Sequence, residues 1–175
     1  MFLGDVEIDK AYLGDELVFS GAPPLPTYTF TANPSSSGGT STVTNASRAY
    51  TDENSTTYAN PRLGAKNFAN SWYFGFDTST IPQGATILSV SCNAKAELTG
   101  TSSVSPRTIG LYSGTTLKGT TQNLTTSEKV FTFSGETWTL SELSDVRVTV
   151  YATRSGNSAP WLYFYGATLT VTYTI

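Results

Sequence analysis

Residues 86–98 read TILSVSCNAKAEL and show the clearest pattern in the chain. From Leu88 onward, apolar or small side chains alternate with polar or charged ones. Because successive side chains of a β-strand point to opposite faces, this alternation predicts a long strand with one buried and one solvated face. Such a strand is typical of an antiparallel sheet that covers a core on one side. The residues predicted to face inward are Leu88, Val90, Cys92, Ala94, Ala96 and Leu98.

The rest of the body contains shorter stretches of the same kind. Aromatic residues make up 13% of the chain and charged residues only 13%, a composition that favours strands over helices. We predict further strands at 28–32, 41–44, 48–51, 72–76, 107–112, 129–134, 146–153, 161–165 and 167–175. The segment 33–41, NPSSSGGTS, is predicted to be a flexible loop, and 139–145 is the one helical candidate. About eight strands, one of them long, predict an all-β antiparallel sandwich of the jelly-roll type.

Charge is concentrated at the start of the chain. Residues 1–20 hold five acids and one base, a net charge of −4, and the remaining residues are close to neutral at +1. Without a basic stripe, we expect neither nucleic acid nor an anionic membrane as a partner. There is no recognisable signal peptide or membrane-spanning stretch, so we expect a soluble protein made in a cytoplasm.

The residues needed for common catalytic and metal sites are missing. The chain has no histidine and one cysteine, which excludes Ser/His/Asp triads and thiolate or histidine zinc sites. No phosphate-binding glycine motif occurs. The acids available to a glycosidase, Asp52, Glu53, Glu136, Glu142 and Asp145, match no motif. We therefore expect no enzyme, no catalytic residue, no metal and no cofactor, and we interpret Cys92 as a core residue.

Three aromatic residues near the end of the chain form a candidate binding face. In WLYFY, residues 161–165, alternation places Trp161, Tyr163 and Tyr165 on one face and Leu162 and Phe164 on the other. Exposed aromatic rings can stack on sugars or anchor protein contacts. The alternative is that all these rings cover the core or fill a subunit interface.

The opening segment, MFLGDVEIDKAYLGDELVFSG, is predicted to be an arm. Residues 1–20 alternate apolar and acidic side chains around Leu13-Gly14-Asp15, which predicts a β-hairpin. Residues 21–27 form a proline-rich linker, and residues 28–175 form the sandwich. Because an isolated hairpin is marginally stable, the arm is expected to pack on a neighbouring subunit or particle surface. Its predicted attachment residues are Val6, Ile8, Tyr12, Leu13, Leu17 and Phe19.

Several stretches resemble structural proteins of tailed bacteriophages. Residues 10–19, KAYLGDELVF, resemble a short segment found in such proteins and in prophages. Residues 76–87 (FDTSTIPQGATI), 138–143 (WTLSEL) and 165–173 (YGATLTVTY) are similar to jelly-roll modules of phage virion proteins. The first of these three also resembles DNRLRE-type β-sandwich modules of surface proteins.

The resemblance implies a non-catalytic component of a virion: a head decoration protein, a head fibre or a tail-associated protein. Its expected partners are the major capsid protein or a tail protein, together with other copies of itself in a homo-oligomer. We favour a capsid decoration protein anchored through its N-terminal arm. The alternative is a tail-associated or receptor-binding module that recognises host surface glycans.

Overall fold

The computed structural model describes residues 24–64, 66–100, 104–157 and 160–175 in full, and the backbone of four short strands within residues 1–20. The protein is all-β, with two antiparallel sheets packed as a sandwich. The strands are β1 (Phe2–Leu3), β2 (Val6–Glu7), β3 (Lys10–Leu13), β4 (Glu16–Ser20), β5 (Thr27–Ala32), β6 (Pro34–Gly39), β7 (Ala69–Phe76), β8 (Thr86–Leu98), β9 (Val104–Ser113), β10 (Thr116–Asn123), β11 (Lys129–Phe133), β12 (Val146–Arg154) and β13 (Leu162–Thr174).

The strands of the body pair in a nested order. Strand β5 pairs with β13, β7 with β12, β8 with β11 and β9 with β10, all antiparallel. These pairs build one sheet in the order β11-β8-β13-β5 and another in the order β10-β9-β12-β7, with β6 added beside β7. From the outermost pair, β5 with β13, to the innermost, β9 with β10, successive pairs belong alternately to the two sheets, which is the jelly-roll arrangement. The predicted jelly-roll sandwich is confirmed.

Strand β8 has the predicted bounds and, with one exception, the predicted faces. Val90, Cys92, Ala94, Ala96 and Leu98 are at most 2% exposed and lie in the core. Leu88 is 54% exposed, so its predicted inward position is wrong. The pairing with β13 shifts register here, because Ser89 and Ile87 lie opposite consecutive residues of β13. The extra residue is a β-bulge, which interrupts the alternation.

The core between the sheets is rich in aromatic rings. Phe74 of β7 stacks on Phe164 of β13 with ring centroids 3.7 Å apart. Trp72 and Trp138 are buried, and the Trp72 Nε1 donates a hydrogen bond of 3.0 Å to the Ser41 hydroxyl. Buried indole N–H groups need such a partner, which explains why a polar side chain is found at this position.

The two strands predicted at 161–165 and 167–175 are one strand, β13. A register shift between Phe164 and Gly166 keeps β13 paired with β8 on both sides of a bulge. Gly166 also passes very close to the segment that covers the sheet, because a Cβ placed there would lie 2.3 Å from the Asp52 carbonyl oxygen and 2.5 Å from that of Thr51. A glycine is required here by this close approach of two backbones.

The predictions for the polar segments are less accurate. Residues 34–39, predicted as loop, form strand β6. The strands predicted at 41–44 and 48–51 are wrong, because residues 41–44 lie outside the strands and a 3-10 helix occupies Ala46–Ala49. Strand β10 was not predicted at all. Strands β6 and β10 are the two outer strands of their sheet, and most of their side chains are exposed. Edge strands of this kind show no apolar alternation.

The predicted helix is present in shortened form, as α1 (Leu140–Leu143). The Thr139 side chain accepts a hydrogen bond from the Glu142 backbone N–H, and the Glu142 carboxylate accepts one of 2.7 Å from the Thr139 N–H. This capping box satisfies two backbone donors that the first turn leaves without partners. No helix in the described part of the chain is long and apolar enough to cross a membrane.

The opening segment contains two small hairpins. Strand β3 pairs with β4 across the predicted turn, with Leu13 opposite Glu16, and β1 pairs with β2, with Leu3 opposite Val6. Gly4-Asp5 and Gly14-Asp15, which separate the paired strands in sequence, lie outside the described residues, as does Ile8. The predicted hairpin arm is confirmed in the pairing of β3 with β4, and β1 and β2 form a second strand pair.

Candidate functional site

The aromatic residues predicted as a binding face lie on the outer side of the four-stranded sheet. Leu162 and Phe164 are fully buried in the core, whereas Trp161 and Tyr163 are partly exposed on the opposite side. Tyr165 is only 3% exposed, although it shares their face. The sequence alternation in residues 161–165 correctly predicts which side chains face the core and which face outward. It does not predict that part of the outer face is covered.

The cover is the polar segment 51–62, which runs along the outer edge of β13. The Thr51 carbonyl accepts a hydrogen bond from the Ala167 N–H, and Ala59 exchanges two backbone hydrogen bonds with Phe164. From this segment the Tyr58 ring stacks on Tyr163 with centroids 4.1 Å apart and meets the edge of Tyr165 at 5.3 Å. Nothing in the local sequence connects Tyr58 with a strand a hundred residues away.

A charged network fastens this cover to the sheet. The Lys95 ammonium lies 2.8 Å from the Glu128 carboxylate, donates a hydrogen bond of 3.1 Å to the Ser55 carbonyl, and sits 4.5 Å from the centroid of the Tyr165 ring. The Tyr165 hydroxyl donates to the Glu97 carboxylate at 3.0 Å. The hydrogen bond from Lys95 lowers the pKa of Glu128, and burial raises the pKa of Tyr165. These groups are used to hold segment 51–62 in place.

The carboxylates considered for glycoside hydrolysis are distributed over distant parts of the fold. Glu142 lies in α1 and pairs with Lys118 at 2.8 Å, and Asp145 follows α1 and pairs with Arg147. Glu53 lies over the other sheet and accepts a hydrogen bond of 2.5 Å from the Thr168 hydroxyl. The Lys118 ammonium and the Thr139 cap together lower the pKa of Glu142 to about 2, so this group stays ionised at neutral pH.

A second candidate surface lies where the arm joins the sandwich. Thr27, the first residue of β5, pairs with Thr174, and Thr174 pairs with Thr86 at the start of β8. The linker, the end of β13 and the loop before β8 therefore lie at one end of the molecule. The Thr78 hydroxyl donates to the Leu143 carbonyl at 2.9 Å and brings α1 to the same place. We call this region, comprising Leu25, Tyr28, residues 77–88, α1 and Ile175, the arm end.

The arm end exposes several large apolar side chains. Leu25 is 62% exposed, Ile175 56%, Leu88 54% and Tyr28 42%. Tyr28 stacks on Tyr173 with centroids 5.6 Å apart, which continues the inner face of the sheet out to solvent. Apolar groups gathered at one end of a sandwich are typical of an interaction surface.

Fold and surface together define a jelly-roll sandwich with a hairpin arm and an apolar end beside it. Neither a comparison with protein-family models nor a search of curated proteins finds a match for this chain.

Proposed function

We propose that this protein is a non-catalytic structural component of a phage particle, a capsid decoration protein attached through its N-terminal arm. One observation supports the proposal above the others: the four described strands of the arm form two separate two-stranded sheets, and neither of these shares a described strand with the sandwich. Two-stranded hairpins are marginally stable in water without a surface to pack on. A lattice of major capsid protein would supply that surface.

The arm end supports the same proposal. The exposed Leu25 and Ile175 lie next to the point where the arm leaves the sandwich, so a partner that binds the arm also reaches these side chains. Weak contacts of this kind suffice when many copies attach to a repeating surface. A homo-oligomer of this chain, or a tail protein in place of the capsid protein, would use the same end.

Deleting residues 1–20 tests the proposal. Full-length and shortened protein are added to particles that lack it, and occupancy is measured by electron microscopy and gel densitometry. We expect the shortened protein to keep its thermal unfolding midpoint and to lose attachment. Normal attachment of the shortened protein would refute the role of the arm.

A point variant makes the test finer. In the sequence Leu17 and Phe19 alternate with Val18, so strand periodicity predicts one face for Leu17 and Phe19 and the opposite face for Val18. The double variant Leu17→Ser, Phe19→Ser is expected to attach less well, whereas Val18→Ser on the other face serves as the matched control. Equal losses from both faces would contradict attachment through the predicted residues.

The second candidate function is glycan recognition through the aromatic face. Trp161 supports it, since its ring is partly exposed and the Arg62 guanidinium, whose N–H groups are able to donate to a sugar hydroxyl, lies over the ring at 5.6 Å from its centroid. It is the weaker proposal, because Tyr58 covers Tyr163, and Tyr165 is buried. A tryptophan fluorescence titration with host wall polysaccharide, repeated with Trp161→Ala, separates the two: a saturable response lost in the variant would favour glycan binding.

A further inference from the structure

A cavity of about 520 Å³ opens at the arm end, between α1 and the turn that follows β7. Its volume lies within the range of about 300–1,000 Å³ that is usual for ligand pockets. Phe76, Ile81 and Leu140 provide apolar wall, and Asp77, Gln83 and Ser141 are among the polar groups around it. Among the described residues that line it, Asp77 alone is charged.

The geometry of Asp77 leaves part of its carboxylate available. Oδ1 accepts a hydrogen bond of 2.9 Å from the Ser79 backbone N–H, which fixes the side chain and lowers its pKa. Asp77 is exposed, so its carboxylate remains accessible to a further donor beside Ser79. The cavity therefore presents an oriented, ionised carboxylate together with apolar lining residues.

The surroundings of the cavity are acidic. Two carboxylates near α1 are paired with basic side chains, Glu142 with Lys118 and Asp145 with Arg147, so these pairs add no net charge. Glu136, in the loop before α1, has no cationic partner among the described residues. The arm attached at this end adds a net charge of −4. A basic group is therefore attracted to this end before it makes contact.

We propose that this cavity receives a lysine or arginine side chain of the protein onto which the arm docks. The long aliphatic part of such a side chain packs on Phe76, Ile81 and Leu140, and its charged head reaches the Asp77 carboxylate. The inference rests on the proposed function for the identity of the partner, but the preference of the cavity for a basic side chain is a property of the chain alone. The proposal predicts that the partner's surface is basic where it meets the arm end.

The test uses the full-length protein and small probes. Nα-acetyl-lysine methylamide and Nα-acetyl-arginine methylamide are titrated at low salt while backbone amide signals are followed by NMR, with the norleucine analogue as an uncharged probe of similar length. We expect saturable shifts in residues 77–83 and 140–144 with the basic probes only. Equal shifts with the norleucine analogue, or none with the basic probes, would overturn the proposal.

Matched variants test whether the basic probes bind at Asp77. Asp77→Asn keeps the acceptor for the Ser79 N–H and removes the charge, so it is expected to weaken binding about tenfold or more, the usual loss for a charge-assisted hydrogen bond. Glu136→Gln makes the same charge change outside the cavity and is the control. Gln83→Lys places an ammonium at the cavity and is expected to block the basic probes with Asp77 intact. Equal weakening by Asp77→Asn and Glu136→Gln would show that only the general field acts, and would refute the site.

Particle attachment separates this inference from the proposed function. If deletion of residues 1–20 abolishes attachment while the probes do not bind, the cavity inference fails and the decoration role stands. If the probes bind as expected but the protein does not attach to particles, the proposed function fails and the basic-side-chain site stands.

Discussion

Gly166 gives the sharpest test of how the polar segment 51–62 is held against the sandwich. In Gly166→Ala the new Cβ would lie 2.3 Å from the Asp52 carbonyl oxygen and 2.5 Å from that of Thr51. Both are backbone atoms, so the segment itself must move. The movement lengthens the hydrogen bond of 2.9 Å from the Ala167 N–H to the Thr51 carbonyl.

The magnitude follows from these two effects. Overpacking of a tight site costs about 1–3 kcal/mol, and a buried backbone donor that loses its partner costs a further ~1–3 kcal/mol. We expect the free energy of unfolding to fall by about 2–6 kcal/mol. Urea denaturation measures the loss, and hydrogen exchange should show faster exchange at the Ala167 amide than the overall loss of stability accounts for.

Gly84→Ala is the matched control for this variant. Gly84 lies in the loop before β8, and a Cβ built there meets nothing within 4 Å. The control is expected to change stability by less than about 1 kcal/mol, with stabilisation through the unfolded chain as the favoured sign. If Gly166→Ala and Gly84→Ala have the same stability, the close approach at Gly166 does not exist as described.

Three further predictions concern the core, the helix cap and the thiol. Leu98→Ala should lower the free energy of unfolding, measured by urea denaturation, by about 2–5 kcal/mol, because Leu98 is fully buried. Leu88→Ala on the same strand should lower it by less than about 0.5 kcal/mol, because Leu88 is 54% exposed. Equal losses would contradict the bulge. The pKa of Glu142 is lowered in the folded state, so its contribution to stability is present at neutral pH and is lost as the pH falls toward about 2. The urea midpoint of Glu142→Gln should therefore fall less between pH 5 and pH 2 than that of the unmodified protein, and parallel curves would refute the assignment. Burial raises the pKa of Cys92, so Ellman's reagent should react only as the protein unfolds in urea, and rapid labelling of the native protein would contradict the core position.

The sequence predicts best where a strand is long and has one wet face. Strand β8 has its predicted bounds because the alternation extends over the whole stretch, and β7, β9, β11 and β12 lie within a few residues of their predicted positions. The error at Leu88 comes from the bulge, which depends on how β13 pairs and leaves no mark on the pattern of β8 itself.

Prediction fails where the deciding contact is distant in sequence or where side chains are solvated. Tyr58 was not expected to stack on Tyr163, because only the folded chain brings segment 51–62 onto β13. Strand β10, whose side chains are mostly polar and mostly exposed, forms because β9 offers an edge to pair with, and its own composition does not demand a strand. The cavity at Asp77 combines residues from a turn and from α1, which no single motif unites.

The nested pairing has a consequence for biosynthesis. Strand β13 occupies an inner position of its sheet, between β8 and β5, although it is the last strand of the sandwich to be made. While the ribosome is still elongating the chain, β5 and β8 have emerged without the neighbour that separates them in the finished sheet. Closing such distant pairs late is slow and leaves apolar strands uncovered in the meantime. Nascent chains of this protein should therefore depend on holding chaperones until β13 emerges and joins its sheet.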